Sequence, residues 1–181
     1  FSTRDKSLKF SFKDIFLRGL APDGGLFLPE KLKVYNIQEL NQLMKLSYID
    51  LATEIIHNFC SEEFEKEKLK NLIKKSYKSF DIKEIVNLKP IQNVLKAPIY
   101  ILELYHGPTL AFKDIAMQVI GNMYDELGVA NKQKVNVVVA TSGDTGSAAI
   151  SALNNRKNIN LFVLHPHNKI SKIQRKIMTT I

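Results

Sequence analysis

Two loops in this sequence hold the residue types that bind and transform small charged molecules. One is TSGDTGS, Thr141 to Ser147, between a run of β-branched residues and an alanine- and serine-rich segment. Gly143 and Gly146 let the backbone turn sharply and approach a ligand. Ser142, Thr145 and Ser147 offer hydroxyls, and a helix start offers N–H groups with no partner inside the helix. That combination suits an anion; a plain Ser/Asp helix cap has the same spacing, and spacing alone leaves both readings open. No lysine follows Gly146 and the glycines are not spaced G-x-G-x-x-G, which argues against the two common nucleotide loops. Asp144 would repel an anion if it pointed inward, so it is expected to face a cationic or hydrogen-bond-donating part of a ligand.

The second loop is YHGPTLAFKD, Tyr105 to Asp114, where Gly107 and Pro108 shape the chain and Lys113 arrives as a helix begins. A lysine at a helix N-terminus opposes the positive end of the helix dipole. A neutral amine, or one tied up as an imine, removes that conflict, and desolvated lysines are the usual Schiff-base formers. An ordinary solvated lysine is the alternative reading, and His106 reads as a loop hydrogen-bonding residue. Taken together, the loops offer what an aldehyde cofactor and an amino-acid substrate need: a lysine amine and a nest for a carboxylate.

The elements that must carry these loops follow from periodicity. Phe12 to Leu20, Ile37 to Cys60 and Glu62 to Phe80 read as helices, the second as one or two. Ala97 to Tyr105, Lys134 to Ala140 and Asn160 to Leu164 read as short strands. Helices are expected over Lys113 to Leu127, from the glycine loop to Asn154, and over Lys169 to Thr179. Strands alternating with helices predict βαβ crossovers and a parallel sheet buried on both faces, with ligands beyond the carboxyl ends of its strands. The fold class is therefore α/β, with a mainly helical region over 1–96 and a partial parallel sheet over 97–181.

The 181 residues carry 26 basic and 18 acidic side chains, a net +8. Their distribution argues against nucleic acid. The densest stretch, Glu62 to Lys78, intersperses both signs within a helical turn, which favours local pairing over a stripe that tracks phosphates. Cys60 is the sole cysteine, so no intrachain disulfide can form, and a cytoplasmic setting is expected. No apolar run approaches the roughly 20 residues of a membrane helix.

HGPTLAFKD followed by ATSGDTGSAA is similar to threonine synthase, a pyridoxal-phosphate enzyme of the fold shared with the tryptophan synthase β chain and cysteine synthase. The resemblance extends to STR at Ser2 to Arg4, GLAPDGGLFLP at Gly19 to Pro29, and HPHNKISKIQRKIMTT at His165 to Thr180. It implies that Lys113 carries pyridoxal 5'-phosphate as a Schiff base and acts as the base at the substrate Cα. It also implies that Ser142, Gly143 and Thr145 bind the substrate carboxylate and that Asp144 faces the cofactor's phenolic oxygen. Asparagine often stands at the position of Asp144 in related enzymes, so a hydrogen bond there requires a shared proton. The implied reaction converts O-phospho-L-homoserine and water into L-threonine and phosphate, without a metal.

Family members are much longer, and this chain begins with Phe1 rather than methionine. The resemblance thus implies an N-terminal part, with the cofactor-phosphate loop and the partner of the pyridine nitrogen supplied by later residues. On its own such a part is expected to be inactive. The alternatives are a threonine-synthase-like lyase acting on another hydroxy- or phospho-amino acid, and a non-catalytic truncated domain serving interaction only.

Overall fold

The computed structural model describes residues 1–91, 97–131 and 134–180, side chains excepted at 129–131. It divides into two compact units, Phe1–Ile73 and Lys74–Ile181. The expected boundary after residue 96 abuts residues 92–96, which lie outside the described residues.

The first unit is helical, and its helices begin where the sequence supplies caps. Helix α1 (Phe12–Arg18) starts behind Ser11, α2 (Ile37–Leu43) behind Asn36 with Glu39 completing a capping box, and α3 (Tyr48–Cys60) behind Ser47. The long apolar segment from Ile37 therefore splits into two helices. Helix α4 (Lys66–Ser76) follows. Cys60, Phe64, Leu69 and Ile73 are fully or almost fully buried between these helices. Two lysines of α4 pair across to α3, Lys66 with Glu54 and Lys70 with Asp50 at 2.7 Å.

Two of the sequence motifs explain each other in this unit. The buried Ser2 hydroxyl donates to the Asp23 carboxylate at 2.8 Å, and Arg4 Nη1 donates to the Asp23 carbonyl at 2.8 Å. Thr3 Oγ1 accepts from Leu26 N–H, and Ser2 and Phe27 form an antiparallel bridge. The STR segment and the APDGG turn are one hydrogen-bonded clasp.

The second unit contains two small sheets. Strand β1 (Asn87–Ile91) pairs antiparallel with β2 (Ile99–Glu103), Asn87 opposite Glu103. Strands β3 (Val135–Ala140) and β4 (Ile159–Leu164) run parallel, Val135 opposite Ile159 and Ala140 opposite Leu164. Helix α5 (Asp114–Asn131) leads into β3, α6 (Asp144–Leu153) crosses from β3 to β4, and α7 (Lys172–Thr179) follows β4.

This corrects the three-stranded parallel reading in one respect. The first predicted strand joins β1, which has no alternation and contains Pro90, so nothing in its pattern announces it. The expectation of burial on both faces also changes: along β3 half-buried and exposed residues alternate, and Val138, Phe162 and Leu164 are exposed among the described residues. The covered face packs Val137, Val139, Leu161 and Ile159 against Ala149, Ala152 and Leu153 of α6, with Met117 and Tyr124 of α5 alongside. Small residues on α6 are what let two helices share that face. A Cβ on Gly121 of α5 would sit 2.6 Å from the Ala152 carbonyl oxygen.

Candidate functional site

Lys113 immediately precedes α5, and its carbonyl accepts the first helical hydrogen bond from Met117 N–H at 2.9 Å. The loop before it is held by Asp114, which is fully buried. Its two carboxylate oxygens accept from Thr109 N–H and Thr109 Oγ1, each at 2.8 Å. Gly107 lies so close that a Cβ there would meet the Asp114 Cβ at 2.4 Å, and Leu110 takes φ 60°, a strained left-handed conformation. An acidic residue at the first helical position also suits the helix dipole. That preference is the one signal in the sequence that could have singled out Asp114 as a loop anchor.

Asp114 is bonded to Thr109 and forms no ion pair with Lys113. The Lys113 ammonium lies 4.2 Å from the Phe112 ring centroid and makes no ion pair among the described residues. It borders a hollow of about 350 Å³ lined by Leu104, Phe112, Ile115, Ala116 and Met117, almost wholly apolar. Imine-forming lysines are commonly set against apolar walls of this kind.

On the other side of the loop, Glu103 is buried at the end of β2. It accepts from Asn87 Nδ2 at 2.9 Å and lies 3.3 Å from His106 Nε2. The Asn87 hydrogen bond, with a further one from Tyr105, holds the Glu103 carboxyl below the usual range; the same contact to Glu103 pushes the Tyr105 phenol up. His106 thus has the hydrogen-bonding part expected of it.

The glycine loop begins directly beyond β3, where Thr141 N–H still bonds to Leu164 of β4 at 2.9 Å. Thr141 Oγ1 accepts from both Gly143 N–H at 3.0 Å and Gly146 N–H at 2.9 Å, which folds the loop onto itself. Gly143 has φ 148°, outside the reach of other residues at low cost, and caps α6 without a side chain. Among the described residues, the N–H groups of Asp144 and Thr145 and the hydroxyls of Ser142 and Thr145 have no acceptor. Ser147 is different: its hydroxyl is buried and donates to the Gly143 carbonyl.

Asp144 finds a partner that its sequence pattern does not reveal. Gln174 of α7 donates through Nε2 to Asp144 Oδ1 at 2.9 Å, while its Oε1 serves the Ser171 capping box. Gln174 also packs on Gly143, and Met178 packs on Gly146, so α7 braces the loop at both glycines.

The two loops face the same end of the unit. Gln118 bonds to Ser151, and Arg156 bonds to Asn122 and Asp125, pairs 33, 34 and 31 residues apart along the chain. A nearly constant offset means α5 and α6 run side by side in the same direction. The start of α5 lies one turn back from Gln118 and that of α6 two turns back from Ser151, and the same offset sets Lys113 level with the Asp144 to Ser147 turn. This is the carboxyl end of the parallel strands, where open α/β sheets place ligands. Among the described residues, no group of His, Cys, Asp and Glu is disposed to hold a metal, and no helix is long and apolar enough to cross a membrane.

The family description "Threonine synthase N terminus" matches residues 1–77. The threonine synthase of Saccharomyces cerevisiae is 44% identical over 193 residues, covering 99% of this chain and 37% of its own length. That of Pseudomonas aeruginosa is 38% identical over 180 residues, covering 99% of this chain and 38% of its own length. The chain resembles the N-terminal portion of threonine synthases. The yeast threonine synthase structure superposes with a TM-score of 0.92 at 42% identity, over all of this chain and 38% of that one. A PLP-bound threonine synthase from Brucella melitensis gives 0.87 at 35% identity, over 98% of this chain and 38% of that one. The α/β fold is therefore that of threonine synthases, and the chain spans somewhat over a third of the length of the relatives it matches.

Proposed function

We propose that this chain is the N-terminal part of a threonine synthase, and that the complete protein converts O-phospho-L-homoserine and water into L-threonine and phosphate. The observation that carries the reading is Lys113, an unpaired amine beside an apolar hollow, level with a loop whose N–H and hydroxyl donors are free. Pyridoxal 5'-phosphate fits these residues. Lys113 would hold it through its amine, and Leu104, Phe112 and Met117 would form the apolar wall beside it. When bound, the cofactor supplies an electron sink for charge developing at the substrate Cα and Cβ.

The chain's own residues do the rest. Asp114 and Thr109 fix the loop so that Lys113 Nζ is aimed from a rigid helix start. As general base, Lys113 Nζ would take the proton from the substrate Cα and return one later. Ser142 Oγ, Thr145 Oγ1 and the N–H groups of Asp144 and Thr145 hold the substrate α-carboxylate, with Gly143 allowing the close backbone approach. Asp144, steadied by Gln174, would stand toward the cofactor's phenolic oxygen through a hydrogen bond that needs a shared proton. Every residue named here lies within 97–181, the part read from the sequence as the cofactor-binding one.

The 181 residues alone are expected to be inactive and to hold the cofactor weakly, since this sequence has no second glycine-rich loop for a dianionic phosphate. The complete protein is expected to work in the cytoplasm, on a small-molecule substrate, with no nucleic-acid or membrane partner. The test is borohydride reduction of the complete protein with its cofactor, followed by peptide mapping. The pyridoxyl label is expected on Lys113, and label on another lysine would refute the assignment. Assaying threonine formation against phosphate release alone separates a synthase from a lyase acting on another phospho-amino acid.

A further inference from the structure

We propose that the hollow beyond the carboxyl end of β4, walled by His165, His167, Asn168, Ile170, Lys172 and Arg175, is a binding site for a phosphate group. It encloses about 330 Å³, room for a tetrahedral oxyanion and the first atoms of whatever carries it. Four of its six lining residues have basic side chains and none is a carboxylate. Lys172 and Arg175 stand three residues apart on α7, so they share one side of the helix. Among the described residues neither forms an ion pair, unlike the lysines of the helical unit, which find Glu54 and Asp50. The structure gathers positive charge here and leaves it uncompensated.

The kinds of group present select the ligand. A divalent cation would be repelled by Lys172 and Arg175, and no metal-ligating cluster occurs among the described residues. A nucleic-acid backbone needs basic groups spread along a track, whereas these close around one hollow. A lone carboxylate would satisfy the Arg175 fork but leave Lys172 without a partner. A phosphate dianion presents three oxygens and two charges, enough for a bidentate guanidinium, an ammonium and a ring N–H together.

The hollow also has a fixed relation to the glycine loop. Gln174, lying between Lys172 and Arg175 in sequence, donates to Asp144 and packs on Gly143. Helix α7 thus presents a basic side to the hollow and an amide to the loop that takes the carboxylate. A single ligand with a carboxylate at one end and a phosphate at the other would span both; a free phosphate ion would fill the hollow alone. The shared chemistry is the phosphate dianion. Assigning it to the substrate rests on the reading under Proposed function, while the site itself does not.

The test uses the full-length protein with its cofactor bound, titrated with inorganic phosphate and followed by calorimetry. Lys172→Gln and Arg175→Gln are each expected to weaken binding tenfold or more, and Lys172→Arg to preserve it. Unchanged far-UV circular dichroism and urea midpoint establish that the variants fold. Lys78→Gln removes one positive charge elsewhere and is expected to change nothing. No phosphate binding to the parent, equal binding to the Lys172/Arg175 double variant, or equal weakening by Lys78→Gln would each overturn the site. With cofactor present, a tenfold rise in KM for O-phospho-L-homoserine, with inhibition by L-2-aminobutyrate unchanged, identifies the substrate as the source. Loss of inorganic phosphate binding with KM unchanged identifies free phosphate. If borohydride labels a lysine other than Lys113 while phosphate binding still falls in the variants, the lyase reading fails and the hollow stands.

Discussion

Replacing Asp114 should show how strongly the lysine loop depends on one buried carboxylate. Asp114 is inaccessible to solvent and accepts two hydrogen bonds from Thr109, both at 2.8 Å. Hydrogen bonds to charged groups contribute about 1.5 to 3 kcal/mol each. Asp114→Ala loses both and leaves the N–H and hydroxyl of half-buried Thr109 unsatisfied, so a loss of up to about 3 to 6 kcal/mol is expected. Asp114→Asn keeps an acceptor oxygen for Thr109 N–H and can donate its NH2 to Thr109 Oγ1, losing only the charge assistance, and should cost about half as much. The measurement is equilibrium urea unfolding of the full-length protein, with Thr109→Ala as the second arm of a double-mutant cycle. A coupling energy of about 1.5 to 3 kcal/mol between Asp114→Asn and Thr109→Ala is expected, because the pair shares one charge-assisted bond. Lys113 follows this loop directly, so the same variants should slow turnover even where substrate affinity persists. Coupling below about 0.5 kcal/mol, the range of independent sites, would refute the reasoning.

The helix pair offers a comparison of two glycines on one element. Gly121→Ala places a Cβ 2.6 Å from a backbone oxygen and should cost about 1 to 3 kcal/mol in thermal or urea unfolding. Gly128→Ala meets Asn158 at 3.3 Å, so the gain of about 0.5 to 1 kcal/mol in helix preference should largely offset the contact. Burial pushes the Cys60 thiol up to about 11 from its ordinary 9.0, the carboxylate of Glu63 adding to the effect. The folded chain therefore holds that proton more tightly than the unfolded one, and this contribution to stability is present below pH 9 and lost as pH rises toward 11. A Cys60→Ala variant should lose that part of the alkaline decline in unfolding midpoint. Thr145→Val removes a free hydroxyl at the start of α6; KM is expected to rise several-fold with the cofactor's absorbance unchanged, and loss of cofactor with KM unchanged would assign the loop to its phosphate instead.

Local chemistry makes much of this chain legible from its sequence. The caps Ser11, Asn36, Ser47 and Ser171 mark helix starts because a side-chain oxygen must meet N–H groups that the helix leaves bare. Strands β3 and β4 and their helices follow from apolar runs set between turn residues. The candidate residues Lys113, Ser142, Gly143, Asp144 and Thr145 stand at the helix starts where spacing puts them, since those positions are set by neighbours within a few residues.

What no local pattern contains is partnership across the chain. Strand β1 forms because β2 offers its edge, and Asn87 then reaches Glu103 sixteen residues on. Asp144 meets Gln174 and Asp125 meets Arg156, each about thirty residues away, only because α6 packs against α7 and α5. Periodicity reports which face of an element is apolar, not what will cover it. The gathering of His165, His167, Lys172 and Arg175 around one hollow has the same origin: a turn beyond β4 brings together charges that read in sequence as an ordinary basic stretch. Sequence determined the elements and the chemistry each one carries. Tertiary packing decided which of those chemistries face each other, because long-range contacts depend on the burial of shared surfaces and not on spacing along the chain.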